Sequence, residues 1–302
     1  MKTFLDKLAA IVKPEAILTD EMMKDHTTFR VGGPADVFVI PETVEEVKEI
    51  IKTAKEEGIP YYVVGNGSNL LVGDQGFHGM IIQIYKNMNE ITYKDGEITA
   101  QAGALLSTIA KIAQNNERTG FEFASGIPGT LGGAVTMNAG AYGGEMKHVL
   151  KNATVLTKEG EILTLPVEDL ELGYRKSVII DKEYVVLEAV ITLPKGNAEE
   201  IAEKMNEYAT ARKTKQPLEY PSAGSTFKRP TGYFAGKLIQ DAGLRGYSVG
   251  GAQVSEKHCG FVINKGGATA ADIVALMKDV NDKVVAEFGV PLEPEVKMIG
   301  EF

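Results

Sequence analysis

The chain has 302 residues, more than one hydrophobic core usually serves, so two domains are the default. A net charge of −9 without any run of Lys and Arg argues against nucleic acid and anionic membrane surfaces as partners, and Cys259, the only cysteine, excludes an intramolecular disulfide and fits a reducing, cytoplasmic setting. No stretch approaches the roughly 20 apolar residues of a membrane span, and residues 1–22, interrupted by Asp6, Lys7 and Lys13, read as an amphipathic helix and not as a signal peptide.

In chain order, a strand from Val37 leads to a helix over 45–57. Val47, Ile50, Ile51 and Ala54 share one face of it, a Thr43/Glu46 capping-box pattern stands in front, and Gly58 and Pro60 end it. A strand from Tyr61 completes an α/β unit. From Met80 the pattern changes to alternating strands, with Asp95-Gly96 and Glu159-Gly160 as hairpin turns and one helix starting near Leu105. Residues 198–215 form a charged helix ended by Pro217, either an inter-domain linker or an ordinary surface helix. Beyond it come a helix around 234–243, a β region over 248–264 and a last helix. That helix has a Thr269/Asp272 cap and a stripe of Ile273, Leu276, Val280, Val284 and Phe288. The tail from Val290 is proline-rich and extended. Fold class α+β follows.

Two segments are dense in glycine, 63–76 and 123–146. Successive backbone N–H groups in such loops can bind phosphate oxygens, and Ser68 and Asn69 add side-chain donors. Tight turns alone would explain one glycine pair; two clusters this dense favour the cradling of a ligand. Leu70 stands where a third fingerprint glycine would be, and the strand-like run after it offers no helix end, so neither a Rossmann nucleotide site nor a P-loop is indicated. The four histidines have no metal-ligand spacing, so no metal is expected.

Gly65-Asn66-Gly67-Ser68-Asn69 and Gly126-Ile127-Pro128-Gly129-Thr130-Leu131-Gly132-Gly133 resemble the flavin-diphosphate loops of the vanillyl-alcohol-oxidase type of FAD fold. Gly173-Tyr174-Arg175-Lys176-Ser177, Ala223-Gly224-Ser225-Thr226-Phe227-Lys228 and Leu292-Glu293-Pro294-Glu295-Val296 narrow the likeness. In this order, the five motifs resemble the UDP-N-acetylenolpyruvoylglucosamine reductase (MurB) family, in its shorter class without an inserted tyrosine loop. The likeness implies an FAD-binding part at 1–198, in two subdomains of about 1–80 and 81–198, and a substrate-binding α+β domain at 199–302 whose last residues pack back on the FAD region. It also implies noncovalent FAD, with NADPH as cosubstrate.

The reaction implied is reduction of an enolpyruvyl ether on a UDP-amino sugar during peptidoglycan precursor synthesis. In this reaction Arg175 stabilises the developing enolate, Glu295 polarises it, and Ser225 donates the proton. Arg30, Val64, Gly65, Asn66, Gly67, Ser68, Asn69, Gly126, Ile127, Pro128, Gly129, Thr130, Gly132, Gly133 and Asn138 are the implied cofactor contacts. Tyr174, Lys215 and Lys228 are the implied substrate contacts. By residue type alone, Arg175, Ser225 and Glu295 would be surface or turn residues, and Lys228 with Arg229 is either a solvated turn or a diphosphate contact. The partner is a UDP-sugar, with neither nucleic acid nor membrane, and a monomer is expected. The rival readings are another FAD oxidase or dehydrogenase of this fold acting on a hydroxy acid, or a non-catalytic flavin-binding module.

Overall fold

From its N-terminus the chain runs through helix α1 Lys2–Leu8, strands β1 Ile17–Met22 and β2 Pro34–Val39, helix α2 Val44–Glu56, and strands β3 Tyr61–Val64, β4 Leu70–Val72, β5 Phe77–Gln83, β6 Ile91–Lys94 and β7 Glu97–Gln101. Helices α3 Leu106–Asn115 and α4 Leu131–Thr136 follow, then a small hairpin of β8 Gly140–Ala141 and β9 Gly144–Glu145, strands β10 Leu150–Leu156 and β11 Ile162–Pro166, helix α5 Val178–Asp181 and strand β12 Val185–Thr192. The remainder is helix α6 Ala198–Lys215, helix α7 Ala235–Asp241, strands β13 Ser248–Val249, β14 Ala252–Val254 and β15 Val262–Asn264, helix α8 Ala270–Phe288 and strand β16 Lys297–Ile299. This computed structural model describes residues 2–302.

Local chemistry explains the element ends. The Thr43 hydroxyl accepts from Glu46 N at 3.1 Å, while the Glu46 carboxylate reaches one residue beyond the capping-box position and accepts from Glu42 N at 2.6 Å. Thr269 and Asp272 form the full reciprocal box on α8, and Gly289 in the left-handed region (φ 67°) closes that helix. Helix α3 has no side-chain cap; Leu106 N donates instead to Gly129 O. Asp95 (φ 51°) and Gly96 (φ 89°) make the turn between β6 and β7, where two positive φ values match the twist of a tight hairpin.

Contacts divide the chain into two units. The first comprises 1–18, 37–66 and 80–211; the second comprises 19–36, 67–79 and 212–302. In the first, β3 pairs in parallel with β5, and a five-stranded sheet runs in the order β11-β10-β12-β7-β6, with α4 packed on β12 and β7. Its core gathers Ile50, Met80, Ile98, Leu106, Leu131, Val155 and Leu187. The second unit has a sheet in the order β13-β14-β15. There α8 buries Ile273, Leu276, Val280 and Val284, at about 1.5–3 kcal/mol for each side chain removed from water. Also in the second unit, β16 lies parallel to β4, with Lys297 opposite Leu70 and Ile299 opposite Val72. Segments 19–36 and 67–79 therefore fold with the C-terminal residues. In the last third the division between the two units falls at 211/212, within α6.

Candidate active site

In the first unit, β3 delivers Gly65 and Asn66 to the second glycine segment. Asn66 Nδ2 donates to Pro128 O at 2.7 Å, and a Cβ on Gly65 would stand 2.2 Å from Thr130 Oγ1. Only glycine permits that approach. Leu131 N and Gly132 N donate to Ala104 O and Ala102 O, both at 2.8 Å. These two amides at the start of α4 are therefore spent on protein carbonyls. Several glycines of the second cluster serve protein packing. A Cβ at Gly132 would meet Ala102 Cβ at 3.0 Å, and one at Gly144 would enter the Phe123 ring at 2.4 Å. Gly133 is different: it is exposed, and its nearest neighbour, Thr130 Oγ1, is 3.7 Å from a Cβ position. A glycine loop bearing hydroxyl, amide and backbone donors and no carboxylate suits a diphosphate, and on this donor set the residues fit FAD.

The other half of the first glycine cluster belongs to the second unit. Gly67 (φ 60°) lies so near His26 that a Cβ would be 2.0 Å from its carbonyl oxygen, and Thr28 N donates to Gly67 O at 3.2 Å. Thr28 Oγ1 donates to Ser222 O at 2.7 Å and Asn264 Nδ2 to Phe29 O at 3.2 Å, which fixes the turn that carries exposed Arg30. Asn69 Nδ2 donates to Glu295 O at 3.2 Å, and Lys297 N donates to Asn69 O at 3.0 Å.

Ser225 and Glu295 lie on adjoining segments of this second unit. Phe227 and Pro294 form an antiparallel bridge, Glu295 N donates to Thr226 O at 2.8 Å, and Lys228 N donates to Glu293 O at 2.8 Å. Thr226, between them, is 2% exposed; its N donates to Gly260 O and its hydroxyl accepts from Val262 N, both at 2.9 Å. Ser225 itself is exposed. His258 sets the 258–260 turn by accepting from Gly260 N at 3.1 Å, and burial holds its imidazole below its ordinary pKa.

Comparison with known proteins is decisive here. Residues 216–299 match the family model of the UDP-N-acetylenolpyruvoylglucosamine reductase C-terminal domain, and residues 35–166 match that of the FAD binding domain. The UDP-N-acetylenolpyruvoylglucosamine reductase of Clostridioides difficile (strain 630) is 55% identical over 294 residues, 97% of this chain and 97% of the relative. That of Clostridium tetani (strain Massachusetts / E88) is 53% identical over 300 residues, 99% and 97% of the two chains. The chain belongs to the UDP-N-acetylenolpyruvoylglucosamine reductase family. The crystal structure of the family member (MurB) from Thermus caldophilus superposes with a TM-score of 0.80 at 37% identity, covering 94% of this chain and 98% of that one. The expected α+β class, an FAD-binding fold ahead of a small C-terminal domain, holds, and the oxidase and non-catalytic readings are set aside.

Arg175 sits in the first unit on a turn closed by Gly173 N to Lys176 O at 3.0 Å and Lys176 N to Gly173 O at 3.3 Å. Its guanidinium lies 4.9 Å over the ring of Tyr174, which is 53% exposed. Arg30 (φ 53°), Asn138 (φ 43°) and Arg175 (φ 55°) all hold left-handed backbone, a conformation that costs a non-glycine residue about 1–2 kcal/mol and must be fixed by its surroundings.

Asn138 and Lys228 already have protein partners. Asn138 is 1% exposed and spends its whole amide on protein: Nδ2 donates to Glu145 Oε2 at 2.8 Å and Gly173 O at 3.0 Å, and Oδ1 accepts from Lys147 N at 3.0 Å. No side-chain donor remains for a flavin. Lys228 is ion-paired with Glu293 within its own strand pair. Lys215 is exposed in the last turn of α6, and Arg229 stacks 3.8 Å over the exposed Phe234 ring. His78 faces carboxylates, with Nδ1 3.3 Å from Asp36 Oδ1. Among the described residues no group of three or more His, Cys, Asp or Glu could hold a metal ion, and no helix is long and apolar enough to cross a membrane.

Proposed function

We propose that this chain reduces UDP-N-acetylglucosamine enolpyruvate to UDP-N-acetylmuramate with NADPH through noncovalently bound FAD, as a monomer in the cytoplasm. The observation that supports this most is the main-chain pairing of the 225–228 and 293–295 segments, which joins the two motifs that carry Ser225 and Glu295. Gly65, Asn66 and the 126–133 loop, together with Arg30, Gly67, Ser68 and Asn69, are the residues that would hold FAD, which when bound would supply hydride drawn from NADPH.

The methylene carbon of the enol ether accepts hydride, and negative charge then develops on the neighbouring carbon and its carboxylate. Arg175 meets that charge with a planar guanidinium whose fork suits a carboxylate. Glu295 polarises the same group, held by its own N–H and carbonyl to Thr226 and Asn69. The Ser225 hydroxyl gives the proton; a serine is a weak acid, but the basicity of an enolate makes the transfer favourable when the hydroxyl is placed. Tyr174, Lys215 and Lys228 bind the UDP-sugar, Lys228 after exchanging Glu293 for a phosphate oxygen. The acidic net charge makes nucleic acid an unsuitable partner.

Anaerobic stopped-flow absorbance of the two half-reactions tests this. The purified protein is expected to be yellow, to bleach with NADPH and to recolour with the enolpyruvyl substrate. Ser225→Ala should bleach normally and lose about 10²–10⁴-fold in the rate of recolouring. Recolouring at the parent rate would remove Ser225 from its role. A protein that a hydroxy acid bleaches and NADPH does not would overturn the reading as a whole.

A further inference from the structure

We infer that Asn138 and Ser177 are positioning residues for Arg175, clamping its turn to the end of the helix that follows the second glycine loop. The inference rests on the reading of Arg175 as the enolate-stabilising group, and all of its geometry lies within the first unit.

The clamp begins with how α4 ends. Asn138 N donates to Val135 O at 3.1 Å and Ala139 N to Ala134 O at 2.8 Å, the bond pair of a Schellman motif, with Asn138 as its left-handed residue (φ 43°). Asparagine is the residue after glycine best suited to that conformation, and unlike glycine it brings an amide. The amide takes hold of Gly173 O, the carbonyl that opens the turn. At the far end of the turn Ser177 is fully buried, and its hydroxyl donates to Thr136 O at 2.6 Å, again at the end of α4. Both ends of the Gly173–Lys176 turn therefore hang from the same helix end, and Arg175 stands at its tip in a backbone conformation it would not hold unaided. Glu145 fixes the other Asn138 hydrogen, and Lys147 N fixes its oxygen, so the amide cannot swing away to another partner. At its start, α4 follows the 126–130 loop. One short helix thus carries both the diphosphate loop and the anchor of the arginine.

The experiment uses the full-length, FAD-containing protein. Asn138→Asp keeps the left-handed preference and the acceptor but removes both donors, and Ser177→Ala removes the second anchor with the smallest change in shape. For each, three readings are taken: FAD content by absorbance, amide hydrogen exchange of the peptide covering 173–177, and the two half-reactions over a range of substrate concentrations. Both variants are expected to keep FAD and the NADPH half-reaction. Exchange at Gly173 and Lys176 should accelerate, and the saturating rate of recolouring should fall about ten- to hundredfold, more than the half-saturating substrate concentration changes.

Loss of FAD from Asn138→Asp with unchanged exchange would return Asn138 to a cofactor role and overturn the inference. Faster exchange without slower recolouring, in either variant, would also overturn it. Arg175→Lys runs beside them: if it recolours normally, the assignment of Arg175 fails, and with it the clamp's purpose, whereas an impaired Arg175→Lys beside two unimpaired clamp variants defeats the clamp alone.

Discussion

In the first unit Arg175 is presented by the Gly173–Lys176 turn, whose ends are fastened by the side chains of Asn138 and Ser177. In the second, Ser225 and Glu295 stand on segments joined by main-chain bonds, Glu295 N to Thr226 O and Lys228 N to Glu293 O. A main-chain ladder tolerates most side-chain substitutions, because every residue supplies the same donor and acceptor. A turn fastened by side chains has no such reserve, and a single substitution removes a whole fastening. The arginine region should therefore be brittle in its supporting residues, and the serine region brittle only at the reacting groups themselves.

The largest effect that bears on this contrast is at the arginine tip. Arg175→Lys keeps the charge and loses the planar fork, and an ammonium cannot make the paired hydrogen bonds that a developing carboxylate-enolate needs. Recolouring by the enolpyruvyl substrate is expected to slow about 10²-fold while bleaching by NADPH is unchanged, measured by anaerobic stopped flow. Near-parent recolouring would mean that charge alone suffices, and a clamp to hold the fork would have nothing to do.

Thr226→Val asks the same question of the serine region. Valine matches threonine in shape but leaves Val262 N without its partner, at a cost of about 1–3 kcal/mol in stability. Thermal unfolding should shift down accordingly, and Thr226→Ser should restore most of the shift. Yet Thr226 N, Thr226 O and Glu295 N keep their bonds, so recolouring should slow less than in Asn138→Asp. If Thr226→Val stalls recolouring more than Asn138→Asp does, the serine region also depends on side-chain fastening and the contrast dissolves.

What the sequence makes legible follows the same division between local and distant causes. Thr43, Thr269 and Asp272 announce their helices because a cap acts within four residues of itself, and the α6 range of 198–215 matches its pattern. The Asp95-Gly96 turn is likewise local. The likeness implies that the tail packs back on the FAD region, but that it does so by pairing β16 with β4 is not legible in the residues, because the two strands come from distant parts of the chain and parallel pairing leaves no local signature. The glycine clusters were visible as clusters, but Gly132 and Gly144 answer to Ala102 and Phe123, neighbours that only the fold supplies. Asn138 shows the limit most plainly. Its motif implies a flavin contact, while its hydrogen bond from a left-handed helix end to Gly173 is set by a distant turn.

The smallest effect concerns a place where the second unit does rely on side-chain carboxylates. Asp74 accepts from Ala270 N at 2.7 Å and Ala271 N at 2.9 Å, and Asp272 accepts from Thr269 N at 3.0 Å and Gly251 N at 3.1 Å, so two carboxylates cap α8. Backbone hydrogen bonds from Thr269 and Gly251 hold the Asp272 carboxyl below its ordinary range. A carboxyl whose pKa is depressed by folding stabilises the fold above its unfolded pKa, about 3.9, and that contribution is lost as the pH falls through the lower, folded value. Asp272→Asn keeps an acceptor and loses the charge at the helix start, so it should cost about 0.5–1 kcal/mol near neutral pH. The gap in thermal stability between parent and variant should narrow as the pH is lowered past 4, with recolouring at neutral pH unchanged. A gap that stays constant down to acid pH would show that shape and not charge caps α8, and slowed recolouring would show that the cap of α8 reaches the reacting groups, which a main-chain-held Ser225 and Glu295 should not feel.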